Sequence, residues 1–300
     1  MATSLTSPGL VFAADKAIIQ ARKALEKLSL FTTDFSADAV QPGTSLKIPV
    51  YSGTAVDFNA GSSAGYNDAE GAIKWASLPF ETHKKCTFGI SNKDKLLVET
   101  DPMWANAGKA AGQAVGQALL SAATSKLVYS AATQVTGWSA TLANLAALRK
   151  SCADNDLDPA RCVVMLEPAT YATILALLPA NVLGSDTAIV DGIAKGLYGF
   201  KAVIEANTIS TTSASGVTNG VGFVVPEDAL AIGARVIDGS DTSEEWGAVT
   251  DEVTGLTLGH RVTVDQNAGI RYYTVEGLIG AALTRDASNN APKFLQLVTA

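Results

Sequence analysis

The chain has 300 residues, of which 47% are hydrophobic and 17% charged, and its formal net charge is −7 at pH 7. This composition supports a sizeable buried core in one or two domains, and without a basic block the chain is not expected to recognise DNA or RNA sequences. Its apolar runs are shorter than the roughly 20 residues of a membrane-spanning helix, and its N-terminal segment lacks the positive charge of a signal peptide.

The three cysteines are Cys86, Cys152 and Cys162. They form an odd set with no C-x-x-C spacing, so neither a disulfide framework nor a zinc knuckle is predicted. We expect buried or free thiols in a protein of a reducing compartment.

Residues 1–43 are predicted to form an arm with one short helix, because apolar residues recur at helical spacing only over Asp15–Leu28. Alternating apolar residues then predict strands around residues 46–50 and 73–75. The segment Asp57–Gly71 between them is rich in glycine, serine and asparagine. It is therefore predicted to be the tip of a long projecting β-hairpin.

One long helix is predicted over Asp101–Thr133, with a capping aspartate and a first-turn proline at its start. Its glycines Gly108, Gly112 and Gly116 are four residues apart and share one face. Each costs roughly 1 kcal/mol relative to alanine inside a helix. That cost predicts that another backbone approaches this face closely. We expect the C-terminal hairpin to pack there, with a subunit contact as the alternative.

After Thr141 the pattern alternates between helix and strand, which predicts one compact α/β unit. A long hairpin follows, with strands Gly255–Val264 and Ile270–Leu283, and no element is predicted for Arg285–Ala300. The elements predicted within the α/β unit are a helix marked by Leu142, Leu145 and Leu148, strand Cys162–Leu166, helix Pro168–Leu178, strands Lys201–Ala206 and Gly222–Val225, and helix Pro226–Ala234.

One motif suggests nucleophilic catalysis. Gly61–Gly65 has the sequence GSSAG, which matches G-x-S-x-G with Ser63 as the nucleophile. The motif requires a buried strand before the serine and a helix after it. Here it lies in a polar loop, so we interpret it as a loop tip and keep a serine hydrolase as an alternative.

A second motif suggests calcium. Asp154, Asp156 and Asp158 have the spacing of the first half of a calcium loop, but Pro159 replaces the required glycine and Met165 the required glutamate. We predict a solvated helix end here and no metal.

The remaining chemical candidates are few. His83 lies three residues before Cys86, which is too small a ligand set for zinc, and His260 is expected to lie on a sheet face. The acidic pair Asp251–Glu252 is expected in an exposed turn. Because only two histidines supply acid–base chemistry at neutral pH, we predict no catalytic residue, no cofactor and no metal.

The order of these parts resembles the major capsid protein of tailed phages, which has the Hong Kong 97 fold. The order is arm, projecting hairpin, long helix, α/β unit and returning hairpin. Local stretches that resemble the family are Leu142–Leu166, Lys195–Asn207 with its G-x-L-x-G-x-x-V pattern, Phe223–Arg235, and Thr257–Leu283 with Gly277 and Gly280.

The resemblance implies an α+β Hong Kong 97-type fold with an N-arm, an extended hairpin loop, a long spine helix, a peripheral hairpin and an α/β axial domain. The implied divisions are residues 1–45 for the arm, 46–95 for the hairpin loop, 96–137 for the spine helix of the peripheral domain, 138–252 for the axial domain, and 253–300 for the peripheral hairpin and C-terminal tail.

The implied function is self-assembly, as hexamers and pentamers, into an icosahedral shell around the phage double-stranded DNA. The virion capsid is then the expected location, with assembly in the host cytoplasm. The expected partners are other copies of the chain, a portal, DNA bound without sequence specificity, and a separate scaffolding protein because no long N-terminal extension is evident. The assembly candidates are Phe58, Tyr66, Trp75, Gly108, Gly112 and Gly116.

Two further expectations follow from the resemblance. The hairpin tip contains no lysine, the nearest being Lys74, so covalent crosslinks between subunits are not expected. A cellular nanocompartment shell of the encapsulin type, which would enclose enzymes rather than DNA, is the alternative within the same fold.

Overall fold

The computed structural model describes residues 8–34, 45–53, 71–91, 101–177, 193–237, 245–251, 255, 257–284 and 294–299. Four α-helices occur in these ranges: α1 (Pro8–Ser29), α2 (Asp101–Thr124), α3 (Leu142–Ala153) and α4 (Pro168–Leu177). No helix among them is both long enough and apolar enough to cross a membrane.

Fourteen strands occur in the same described ranges. In chain order they are β1 (Thr32–Asp34), β2 (Ser45–Gly53), β3 (Gly71–Pro79), β4 (Thr82–Ser91), β5 (Thr133–Val135), β6 (Cys162–Leu166), β7 (Ile193–Lys195), β8 (Ala202–Glu205), β9 (Gly220–Pro226), β10 (Leu230–Arg235), β11 (Glu245–Thr250), β12 (Thr257–Asp265), β13 (Ile270–Leu283) and β14 (Leu295–Val298).

The first six-stranded sheet is built around β13. Its strand order is β1-β10-β13-β12-β11, and β4 pairs with β13 along the other edge. Helix α2 packs on one face of this sheet. There Trp104 meets Tyr273 edge-on, with ring centroids 5.9 Å apart, and a Cβ added to Gly277 would lie 3.0 Å from Leu119. The predicted hairpin thus exists and supports the long helix.

The second six-stranded sheet has the order β5-β14-β9-β6-β8-β7. All five residues of β6 are buried, because the sheet is covered on both faces. Val163 and Met165 belong to the apolar core shared with α1 and α2. Cys162, Val164 and Leu166 face the core under α3 and α4. The continuous apolar run at β6 therefore reflects burial on two sides.

Several local predictions are confirmed. Strand β6 has the predicted bounds, and α4 ends one residue before the predicted Leu178. The hairpin of β2 and β3 pairs from Ser45↔Pro79 to Gly53↔Gly71, and β12 pairs with β13 up to Asp265↔Ile270. The two hairpins pair neighbouring segments of the chain, so alternation alone predicts them, whereas the pattern of β6 is a continuous apolar run that reflects burial on both faces of its sheet.

Two helix predictions are wrong. Helix α2 ends at Thr124 rather than Thr133. There the Thr124 hydroxyl donates to the carbonyl of Leu120 at 3.0 Å, and the amides of Lys126 and Leu127 donate to carbonyls only three residues back. The helix predicted over Pro226–Ala234 is replaced by β10, which pairs with β1 and β13. A short apolar run fits a buried strand as well as a helix. Here the segment is a strand because it pairs with β1 and β13, which are distant in the sequence.

The C-terminal segment also gains an element. Leu295–Val298 forms β14, which pairs in parallel with β5 and antiparallel with β9. The end of the chain therefore completes the second sheet. All four residues of this strand are buried, although only three of them are apolar and the fourth is Gln296.

Candidate assembly surfaces

The β2–β3 hairpin exposes large apolar side chains. Ile73 is 60% exposed and Trp75 is 65% exposed, and because they are two residues apart on β3 they share one face. Burying them in a partner would remove apolar surface from water, which is favourable. The other hairpin candidates, Phe58 and Tyr66, lie outside the described residues, as does Ser63.

The base of this hairpin is anchored to the first sheet. Ile48 and Leu78 are buried against alanines of β10 and β13. The surface of β10 and β13 that contacts the hairpin is flat, because Gly233 and Gly280 lie opposite each other in register. A Cβ at either glycine would come within 3.1 to 3.2 Å of the Leu78 side chain, and both would crowd the ring of Phe80 at 3.3 Å. The hairpin is thus held at its base while its apolar face stays open.

The glycine stripe of α2 packs against α1. A Cβ at Gly112 would lie 2.6 Å from the Cα of Ala17, and a Cβ at Gly108 would lie 2.9 Å from the Cα of Ala13. Gly116 is buried as well. The close approach of a backbone is therefore confirmed, but the expectation that the C-terminal hairpin packs on this stripe is wrong.

Helix α1 presents a matching stripe of small residues. Ala13, Ala17 and Ala21 are four residues apart and fully buried. Gly108 contacts Ala13 and Gly112 contacts Ala17, so the two helices run in the same direction. The sequence carried this signal, because the alanine spacing equals the glycine spacing. We interpreted this region as an arm with a short helix, whereas α1 has 22 residues and a partner in its own chain.

An ion pair fastens α1 to the first sheet. The Nε of Arg22 donates to Oδ1 of Asp251 at 2.5 Å, and Asp251 is only 1% exposed. The expectation of an exposed turn is therefore wrong for Asp251, while Glu252 lies outside the described residues. Near the end of α1, Lys27 donates to the carbonyl of Glu205 at 2.9 Å, which ties the helix to the second sheet.

The first histidine lies at the edge of a polar cluster around Glu276, whose side chain is buried. His83 Nε2 lies 3.0 Å from a carboxylate oxygen of Glu276, and Arg261 Nε donates to the other oxygen at 2.8 Å. Cys86, three residues along the strand, is half-buried, and burial raises the pKa of its thiol. The prediction of a surface histidine and a half-buried cysteine is confirmed.

The second histidine is buried. His260 lies opposite Val275 on the sheet, and its Nδ1 is 3.0 Å from the hydroxyl of Tyr273. Burial lowers the pKa of His260 to about 4, so the ring is neutral at pH 7. A neutral ring without access to solvent supports the core rather than a proton-transfer step.

The aspartates of the calcium-like motif form a solvated helix end, as predicted. All three are exposed, and Asp158 accepts from the backbone amide of Ala160 at 3.0 Å. Within the described part of the chain, no group of three possible ligands could hold a metal ion.

A groove of about 330 Å³ runs between α1, α2 and the end of β8. Its lining is polar and contains no serine, cysteine or histidine that could act as nucleophile or base. The lining residues are Gln20, Lys23, Lys27, Gln113, Gln117, Leu120, Glu205 and Asn207.

Comparison with known proteins identifies the fold. A structure from Mycobacterium phage Che8 matches 91% of the chain over 90% of its own length, with a TM-score of 0.57 and 13% identity. The Cyanophage A-1(L) capsid asymmetric unit matches 91% of the chain over 92% of its own length, with a TM-score of 0.56 and 14% identity. The capsid structure of Cyanophage P-SCSP1u matches 91% over 87%, with a TM-score of 0.54 and 14% identity.

No protein-family model and no curated protein matches the chain. The structural likeness nevertheless covers about nine-tenths of the molecule and of each relative. The chain therefore has the α+β fold of tailed-phage major capsid proteins, as the resemblance implied. At 13 to 14% sequence identity, this structural likeness shows the shared fold.

Proposed function

We propose that this chain is a major capsid protein that self-assembles into an icosahedral shell around phage double-stranded DNA. The observation that carries the proposal is the open apolar face of the β2–β3 hairpin, with Ile73 and Trp75 each at least 60% exposed, on a fold shared with phage capsid structures. In this proposal a neighbouring subunit covers that face.

The proposed role is structural, without catalysis. The nucleophile candidate Ser63 has the wrong local sequence context for its motif, and the groove beside α1 is lined by no serine, cysteine or histidine. In this proposal the sheet of β5 to β9 and β14 corresponds to the axial domain, and the sheet of β1, β4 and β10 to β13 with α2 to the peripheral domain. This division differs from the expected boundaries of 138–252 and 253–300, because β10 and β11 pair in the first sheet and β14 pairs in the second.

The glycine stripe has a different role from the hairpin. Because Gly108 and Gly112 already contact α1 of the same chain, they act on assembly only through the integrity of the subunit. Trp75 is therefore the described assembly candidate that acts directly. The proposed partners are further copies of the chain as hexamers and pentamers, a separate scaffolding protein, a portal and DNA.

The test is assembly of the full-length chain, followed by sedimentation and negative-stain electron microscopy over a range of salt, with and without a scaffolding protein. The wild type should form closed particles, and the double variant Ile73→Ser, Trp75→Ser should remain as folded small species. The matched control is Val217→Ser, since Val217 is 56% exposed outside the hairpin. A homogeneous wild-type monomer under every condition would contradict the proposal.

The contents of the particles distinguish the two kinds of shell. Nuclease-protected double-stranded DNA in particles from infected cells supports the phage capsid, whereas a co-purifying enzyme supports a nanocompartment. Normal shells from the double variant would show that the hairpin face is not the contact, while leaving self-assembly intact.

A further inference from the structure

The groove between α1 and α2 is lined mainly by side chains that donate hydrogen bonds. Gln20, Lys23 and Lys27 supply donors from α1, and Gln113 and Gln117 supply them from α2. Lysine ammonium and glutamine carboxamide groups both present N–H donors. Lys23, Gln113 and Gln117 are exposed, so a ligand can reach them. The lining therefore suits a ligand that carries several hydrogen-bond acceptors.

The donors form one stripe on each helix. Lys23 and Lys27 are four residues apart on α1, and Lys109, Gln113 and Gln117 are spaced by four on α2, so each stripe follows one helix face. Because the two helices run in the same direction, the stripes flank the groove along its length. The stripe on α2 is about 12 Å long, which matches about three successive nucleotides of a DNA strand. This geometry favours an extended polyanion over a single small anion.

These donors are not used within the subunit. In the part of the chain that the structure describes, the side chains of Lys23, Gln113 and Gln117 form no hydrogen bond with another residue. Lys27 donates one N–H to the carbonyl of Glu205 at 2.9 Å. That bond holds the ammonium group at the groove and leaves two of its donors unused. The hydrogen-bonding capacity of the groove is therefore available to a ligand.

The charge of the two helices differs from that of the whole chain. Together α1 and α2 contain five lysine or arginine residues and three aspartate or glutamate residues, whereas the chain contains 22 and 29. In the groove lining, two lysines accompany one acidic residue, Glu205. The α1–α2 layer is therefore a net positive surface on an acidic chain, and its ligand should be negatively charged.

We propose that this groove contacts phosphate groups of the enclosed double-stranded DNA, so that the α1–α2 layer faces the inside of the shell. The identity of the polyanion rests on the proposed shell function, whereas the affinity for a phosphate chain rests on the groove itself. Lysine and carboxamide donors contact phosphate oxygens without reading bases. The contact is therefore independent of DNA sequence, and it weakens as salt rises.

The test measures binding of short fluorescently labelled DNA duplexes to the full-length chain by fluorescence anisotropy over a range of salt. The wild type should bind two duplexes of unrelated sequence equally. Lys23→Gln, Lys27→Gln should weaken binding by about tenfold and reduce the slope of log affinity against log salt by about two. Gln113→Glu, Gln117→Glu, which keeps the bond of Lys27, should weaken binding as well.

The matched control is Lys47→Gln, Lys85→Gln. It removes two exposed lysines outside the groove and changes the net charge as much as the lysine variant of the groove does. This control should bind like the wild type. Equal weakening by the control and the groove variants would overturn the proposal, as would wild-type affinity in both groove variants or a wild type that binds no duplex at low salt.

Two competitors identify the source of the negative charge. At constant ionic strength, inorganic phosphate and poly-glutamate should displace the duplex only at concentrations far above that of unlabelled DNA. Displacement by inorganic phosphate at an equal phosphate concentration would assign the groove to the small anion. Displacement by poly-glutamate at an equal concentration of charges would assign it to an acidic polypeptide. Either result would overturn the DNA contact.

Lysine acetylation of DNA-filled and emptied particles tests the orientation of the layer. Lys23 should react more slowly in filled particles. Lys85 should react equally in both, because it pairs with Glu276 on the sheet face away from α2. Equal reactivity of Lys23 in filled and emptied shells would overturn the contact and leave the shell function intact. If no shells form, the shell function fails, and the duplex measurement still decides whether the groove binds DNA.

Discussion

The α1–α2 contact and the β2–β3 hairpin are two surfaces that differ in whether their partner is present in the subunit. Along α1 and α2, small residues let two backbones meet, and Ala13, Ala17 and Ala21 of α1 are fully buried. On the hairpin, Trp75 remains 65% exposed. The first contact is complete within one chain and the second is open. A stripe of small residues predicts that another backbone packs closely against a surface, but only the tertiary contacts identify which element that is.

The strongest way to break the closed contact is Gly112→Leu. The new Cβ would collide with α1, at 2.6 Å from the Cα of Ala17, and helix propensity returns only about 1 kcal/mol. We expect a loss of about 3 kcal/mol or more in the free energy of unfolding, measured by denaturant titration.

The control for that substitution is Ala114→Leu, on the exposed face of the same helix. It should change stability by less than about 0.5 kcal/mol. If Gly112→Leu melts at the wild-type temperature, the parallel packing of α1 on α2 is wrong.

Acidification should destabilise the folded subunit through His260, which is buried in the first sheet. Its pKa is lowered to about 4 in the folded chain and is near 6.5 in the unfolded chain. Between these values the unfolded state binds the extra proton. The free energy of unfolding should therefore fall by up to about 3 kcal/mol as the pH drops from 6.5 to 4, with no effect of this group above 6.5.

The measurement is stability against pH for the wild type and His260→Gln. The variant should lose the contribution within this window. His83→Gln, a matched change at a surface histidine, should leave the His260 contribution in place. A wild-type curve with the same pH dependence as that of His260→Gln would contradict the assignment.

Removing the ion pair of α1 should have a smaller effect. Arg22→Ala leaves the buried carboxylate of Asp251 without the arginine, and we expect a loss of about 2 kcal/mol. The arginine side chain is itself 40% exposed, which limits the cost. Lys23→Ala, on the neighbouring exposed position, should be nearly neutral in the same thermal melt.

Substitution on the exposed face of the β2–β3 hairpin should change the stability of the subunit least. Trp75→Ser is expected to change the free energy of unfolding by less than about 0.5 kcal/mol, because its side chain contacts mainly solvent in the subunit. Its effect belongs to assembly, measured as the sedimenting fraction of particles. A large loss of subunit stability would place Trp75 in the fold rather than at a contact between subunits.

The candidate site was only partly predictable. The hairpin and Trp75 followed from alternation and a polar tip, since both are local features. The partner of the glycine stripe could not be predicted, because a stripe indicates that some backbone packs closely but not which element supplies it. The matching alanines of α1 were present in the sequence, but their meaning depended on two helices about 90 residues apart lying parallel.

The sequence by itself determined the elements whose patterns are local. These include strand β6, helices α3 and α4, the β12–β13 hairpin and the order of parts. Tertiary structure alone decided the rest. It made β10 a strand, inserted β14 beside β9 and buried Asp251 against Arg22, 229 residues away. Periodicity reports the environment of a short window, whereas these outcomes depend on pairing between distant segments, whose free energy exists only when both are folded together.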